Sequence, residues 1–136
     1  MGDITKRLSR KEFECKCGCG FDTVDHELPY VLEECADYFE DLIPNCVRVR
    51  IYINSGSRCK DYNHQVGGSG KSQHILGRAA DFYLVAENAF GRREQINDDE
   101  IADYLEDRYP KGLGIGRYIG RTHVDTRSGY ARWDKR

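Results

Sequence analysis

Three side chains in this sequence have the types and order to share one metal ion: His74, Asp81 and His123. They offer nitrogen, oxygen and nitrogen, and three protein ligands with a fourth position left to water is the arrangement of catalytic rather than structural zinc. Asp81 follows His74 by seven positions, too far for one helical face, but a loop turning through Gly77 into a strand can bring them together. Asp125, two residues beyond His123 on an expected strand, projects from the same face and reaches the neighbourhood of the metal without having to be a ligand. Zinc so held would bring the pKa of its water to about 7 and polarise a scissile carbonyl, the two things amide hydrolysis lacks at neutral pH. Spacing alone leaves the ordinary reading open, in which these are unremarkable polar residues, because strand-borne ligands have no fixed period comparable to H-E-x-x-H. His26 and His64 read as surface or helix-start residues.

The elements that must position these groups follow from local pattern. Residues 1–24 are polar, rich in Gly and Cys and without periodicity beyond Leu8 and Phe13, an irregular lead-in. Leu28, Val31, Leu32, Cys35, Phe39, Leu42 and Ile43 recur at helical spacing, with Asp25 as a cap and Pro29 in the first turn, which predicts a helix over 25–43 ended by Pro44-Asn45. Val47 to Asn54 alternates strictly and predicts a half-buried strand that delivers Arg58 from its end. Residues 60–73 read as a loop. Its Gly67-Gly68-Ser69-Gly70 lacks the Lys-Ser/Thr of a phosphate loop. A central strand is expected to begin near Asp81, residues 87–96 form a connection, and 97–109 form a second amphipathic helix with acids in its first turn. Residues 112–120 and 122–127 read as a hairpin, and Tyr130 to Trp133 closes the chain. The expected class is α+β, a small and mainly antiparallel sheet flanked by helices.

Composition sets the limits. At 136 residues, 39% hydrophobic and 32% charged, the chain fits one domain spanning 1–136. A net charge of −2 with scattered cations gives no field for polyanions, so no nucleic-acid partner is expected. No apolar run is long enough to span a bilayer, and the N-terminus has no apolar h-region. The expectation is cytoplasmic synthesis as a monomer without a membrane partner. The six cysteines are expected to be mostly reduced. Cys35 falls on the apolar face of the first helix and reads as core, while Cys46 carries no assignment. Cys15, Cys17 and Cys19 form C-x-C-x-C, unlike the C-x2-C knuckle of most structural zinc sites, and a structural metal or a disulfide drawing on these and Cys59 stays open.

The segment Ser72-x-His74-x-x-Gly77-x-Ala79-x-Asp81 resembles the S-x-H-x-x-G-x-A-x-D signature of the zinc D-Ala-D-Ala carboxypeptidases, within the hedgehog/DD-peptidase superfamily, and all five fixed positions are present. Ser55-Gly56-Ser57-Arg58-Cys59, Tyr62-Asn63 and Val66-Gly67-Gly68 resemble the sequence that precedes the signature in the phage and bacterial cell-wall branch. Gly114-Ile115-Gly116-x-Tyr118, His123-Val124-Asp125-x-Arg127 and Ala131-Arg132-Trp133 match its closing segment, and Phe13-x-Cys15-x-Cys17 is similar to its N-terminal stretch. The resemblance covers roughly residues 8–133.

It implies one catalytic Zn²⁺ on His74, Asp81 and His123, with Arg58 facing the substrate carbonyl to stabilise a developing oxyanion. Ser72 contacts the substrate or orients the loop. Many relatives place a catalytic Glu three residues before the last His, where this chain has Gly120. Asp125 is the nearest substitute as general base, with the alternative role of holding a ligand imidazole. The implied function is hydrolysis of peptidoglycan stem peptides as a D,D-carboxypeptidase or endopeptidase, at the bacterial wall and in the setting of phage lysis. Two other readings remain: a non-catalytic, zinc-stabilised hedgehog-like recognition module for cell wall or protein, and a zinc-knuckle adaptor built on Cys15, Cys17 and Cys19.

Overall fold

The computed structural model describes residues 2–136. Apolar periodicity and a proline tolerated in the first turn produce helix α1 (Glu27–Leu42), which buries Leu28, Leu32, Cys35 and Ala36. Its N-cap is His26 rather than Asp25, whose carboxylate instead accepts from Thr126 Oγ1 at 2.7 Å. Strand β1 (Cys46–Ser55) follows, then a short helix α2 (Lys60–Gln65) inside the stretch expected to be loop. The sulfur of Cys59 caps α2 by accepting from the Tyr62 amide, a local signal that apolar periodicity does not register.

The central strand β2 (Ala79–Asn88) begins two residues earlier than expected. The connection after it contains a three-residue strand, β3 (Arg93–Gln95), paired with β2. Helix α3 (Asp98–Arg108) is capped by Asn97, whose side chain accepts from the Asp99 and Glu100 amides. Strands β4 (Leu113–Tyr118) and β5 (Arg121–Asp125) form the hairpin, and β6 (Tyr130–Asp134) ends the chain.

The sheet order is β1-β2-β5-β4-β6, with β3 joined to β2. It is mixed rather than purely antiparallel, because β6 runs parallel to β4. The other four strand pairings are antiparallel, so the sheet is mainly antiparallel as expected, with β4 and β6 as its one parallel pair among the described residues. Residues 126–129 carry the chain past β4, so β6 enters from the far edge in the same direction.

Alternation along the strands sends side chains to two faces. Ala80, Phe82 and Leu84 of β2, Val124 of β5 and Ile115 of β4 meet Leu32, Ala36, Ile101 and Leu105 of the helices in the main core. Residues in between, Asp81 and His123 among them, point to the opposite face, and there the chemistry collects.

The lead-in is tied down by a largely covered cation. Arg7 donates to Glu33 (2.7 Å), Asp37 (2.9 Å) and Glu40 (3.1 Å), and its Nε reaches the carbonyl of Val49 at 2.9 Å. Glu33 also accepts from the Arg7 amide and the Thr5 hydroxyl, both at 2.6 Å.

Candidate functional site

The non-core face carries one row of register partners across five strands: Ser55 on β1, Asp81 on β2, His123 on β5, Gly116 on β4 and Trp133 on β6. The row places Asp81 directly beside His123, with Asp81 Oδ1 2.9 Å from His123 Nδ1. His74 comes from outside the sheet, on the turns that lead into β2, and its Nε2 lies 3.4 Å from Asp81 Oδ2. His74, Asp81 and His123 are all buried, and one ligand atom from each lies within 4.8 Å of the others.

Gly77 makes the approach of His74 workable. Its φ is +69°, and a Cβ there would sit 2.3 Å from the carbonyl oxygen of Thr23. Any L side chain at this point would strain the backbone and collide with another segment. The turn is further pinned by the Arg58 amide donating to the His74 carbonyl at 3.0 Å and by the Asp25 amide donating to the Gly77 carbonyl at 2.7 Å.

Both imidazoles are oriented from behind. His74 Nδ1 is 2.7 Å from the Gly56 carbonyl oxygen, which only accepts, so the ring proton sits there and Nε2 faces the other ligands with a free lone pair. His123 Nε2 is 2.7 Å from Asp125 Oδ2, which turns Nδ1 toward Asp81. Burial alone would lower the pKa of His123, but Asp125 and Asp81 outweigh it and the net shift is upward. Burial would raise that of Asp81, yet the two imidazoles hold it well below the usual carboxylate range. A buried carboxylate kept ionised between two imidazole nitrogens, each ring anchored through its other nitrogen, is a donor set that suits zinc.

Asp125 is fully buried and has no uncommitted oxygen. Oδ1 accepts from Arg127 Nε (2.7 Å) and the Gly114 amide (3.1 Å), and Oδ2 accepts from Arg127 Nη2 (2.7 Å) and faces His123. Burial pushes its pKa up, and Arg127 and His123 bring it well below the ordinary value. A Cβ at Gly114 would lie 2.3 Å from this carboxylate, and one at Gly116 would lie 2.4 Å from the Trp133 ring. The two glycines of Gly114-Ile115-Gly116 therefore leave room for Asp125 and Trp133.

Arg58 is the cation nearest the centre. Nη2 lies 3.4 Å from Asp81 Oδ2, Nη1 donates to Asn63 Oδ1 at 3.2 Å and Nε donates to Ser55 Oγ at 3.1 Å, so the guanidinium is fixed on three sides. The Ser72 hydroxyl accepts from the His74 amide at 3.2 Å while lining the cleft. Gly120 lies in the β4–β5 turn at φ +83°, outside the cleft lining. His26 and His64 are exposed and stand apart from the centre.

Two contributors carried no role in the sequence reading. Asn63 is buried, supports Arg58 and donates from Nδ2 to the Ser69 carbonyl at 2.8 Å, joining α2 to the glycine-rich loop. Trp133 lays its ring 4.9 Å from that of His123 and donates from Nε1 to the Tyr118 hydroxyl at 2.8 Å. Both lie in segments that carry the family resemblance, Tyr62-Asn63 and Ala131-Arg132-Trp133, which marks their positions but not what they touch.

These groups floor an open cleft of about 560 Å³. Its lining includes Arg58, Lys71, Arg121, Arg127 and Lys135, against Asp81 as the only carboxylate among the described residues. A search of the curated proteins finds no match to the chain. The sequence model of the peptidase M15 family matches residues 6–125, a span that includes all three candidate ligands together with Arg58, Ser72 and Asp125. The chain therefore belongs to the peptidase M15 family of zinc-dependent hydrolases, with His74, Asp81 and His123 as its candidate metal-binding group.

Proposed function

We propose that this chain cleaves peptide bonds in the stem peptides of bacterial peptidoglycan, as a D,D-carboxypeptidase or endopeptidase working at the cell wall in the setting of phage lysis. The observation that carries the substrate class is the charge of the cleft: five cationic side chains around one committed carboxylate, in a chain of net charge −2. Such a lining attracts a peptide bearing free carboxylates, as stem peptides do. Its openness to solvent suits a substrate that remains attached to a polymer.

Zinc on His74, Asp81 and His123 would supply a Lewis acid that polarises the scissile carbonyl and acidifies water. The remaining work belongs to side chains. Arg58, already held on three sides, presents its guanidinium beside Asp81 and needs no reorganisation to meet negative charge developing on the carbonyl oxygen. Asp125 keeps the proton of His123 on Nε2 and so holds Nδ1 toward the centre. In this reading Asp125 is a positioning residue, because both of its oxygens are already engaged behind the imidazole. Lys71, Arg121 and Lys135 line the cleft as sites for substrate carboxylates, and Ser72 orders the loop that carries His74.

One observation favours a second reading, the zinc-stabilised recognition module: Asp81 is the only cleft carboxylate among the described residues, and Gly120 provides no side chain where many relatives have a base. Mass spectrometry of muropeptides after incubation with purified peptidoglycan decides between them. Release of terminal D-Ala or splitting of cross-links by the wild type, abolished in His74→Ala and by chelation, is the expected result. Intact muropeptides together with retained wall binding would establish the recognition module instead.

A further inference from the structure

Away from the imidazole centre, four thiols converge. Cys15, Cys17 and Cys19 come from the lead-in and Cys59 from the N-cap of α2, at least forty positions later. The sulfurs are 3.5 Å apart for Cys15 and Cys17, 3.8 Å for Cys15 and Cys59, and 3.7 Å for Cys17 and Cys59. All four lie within 4.8 Å of one another. A disulfide would need about 2.05 Å. Four thiolates placed tetrahedrally at about 2.3 Å from zinc are separated by roughly 3.8 Å, so the observed spacing is that of a coordination shell.

The surroundings agree. Free cysteine is among the most buried residue types, yet Cys17 and Cys19 are exposed and serve no core. The Cys59 amide donates to the Cys15 sulfur and the Tyr62 amide to the Cys59 sulfur, each at 3.4 Å, and N–H donors of this kind favour thiolate. The lead-in folds back on itself through Gly18 and Gly20, both at positive φ, and the Cys15 amide closes the loop on the Phe21 carbonyl at 2.8 Å.

We infer that Cys15, Cys17, Cys19 and Cys59 form a tetrathiolate site for a structural zinc ion, separate from the His74, Asp81 and His123 centre. Soft sulfur donors in a tetrahedral set select zinc over magnesium or calcium, and each thiol gives up its proton on binding. The ion ties the lead-in to the residue directly after Arg58. The Ser57 amide, which donates to the Phe13 carbonyl at 2.8 Å, is a second tie between the same two segments. The site thus fixes the base of the loop that presents the guanidinium.

The test is metal analysis of the full chain purified under reducing conditions from zinc-supplemented expression. Wild type is expected to hold about two zinc ions per chain, and both His74→Ala/His123→Ala and Cys17→Ser/Cys19→Ser about one. Cobalt loaded into the double-histidine variant should show thiolate-to-metal charge-transfer absorption in the near ultraviolet. The same band should be missing when Cys17→Ser/Cys19→Ser is added. If the double-histidine variant does not fold, the comparison of wild type with the surface Cys17→Ser/Cys19→Ser variant carries the same information through zinc content and the cobalt band. Equal zinc content in those two proteins, a disulfide among the four cysteines by intact mass, or iron bound in place of zinc would each overturn the assignment.

Discussion

His123 and Asp125 face each other through Nε2 and Oδ2 at 2.7 Å, although they are alternate residues of one strand. The contact places the carboxylate behind the imidazole, on the side away from Asp81. Asp125→Asn is therefore expected to weaken zinc binding about 10–100-fold, the usual effect of losing the partner of a ligand histidine. Activity should recover largely when zinc is raised to saturation. Measuring kcat/KM across a zinc titration checks this: a general base would leave the variant inactive at every zinc concentration.

Gly77 joins the turn carrying His74 to the strand carrying Asp81. Gly77→Ala combines a left-handed φ of +69° with a Cβ only 2.3 Å from a backbone oxygen, and a backbone neighbour cannot swing away as a side chain can. The expected loss of stability is at least about 2 kcal/mol, from strain and overpacking together. Because relief requires the turn to move, zinc affinity should fall as well. Urea unfolding of the zinc-free protein and a separate zinc titration read the two effects independently.

Much of this arrangement was open to sequence reading, and the division has a physical cause. Helices α1 and α3 declare themselves because Leu28, Val31, Leu32 and Cys35, or Ile101 and Leu105, repeat at the helical period within one segment. Strand β1 does so through its alternation. The parallel docking of β6 on β4, the pairing of Asp81 with His123, and the meeting of Cys59 with Cys15 depend on contacts between distant segments, which no local period encodes. Asp125 illustrates the limit. Its strand parity with His123 predicts a shared face, but only Arg127 and the Gly114 amide reveal that its oxygens are already occupied.

Arg58 should be sensitive to shape as well as charge. Its guanidinium serves Asp81, Asn63 and Ser55 at once, which the single ammonium of lysine cannot reproduce. Arg58→Lys is expected to lower kcat by roughly 10²-fold or more with little change in KM, as for removal of one oxyanion donor. Zinc content should be unchanged, since Arg58 is not a ligand. Steady-state kinetics with metal analysis test this, and a fall confined to KM would move Arg58 from oxyanion stabilisation to ground-state binding.

Arg7 and Glu33 hold the lead-in against α1 and β1, and both side chains are only 10% exposed. Arg7→Ala leaves Glu33 with a buried charge opposed only by the Thr5 hydroxyl and a backbone amide, and it frees the Val49 carbonyl as well. Breaking a buried pair from one side is expected to cost about 3–5 kcal/mol. Replacing both partners by apolar residues of similar volume, as in Arg7→Met/Glu33→Leu, should recover much of that loss, because the stranded charge is then gone. Urea unfolding of the two single variants and the double variant gives the coupling directly. Additive losses would mean that Arg7 acts through Asp37, Glu40 and Val49 rather than through Glu33.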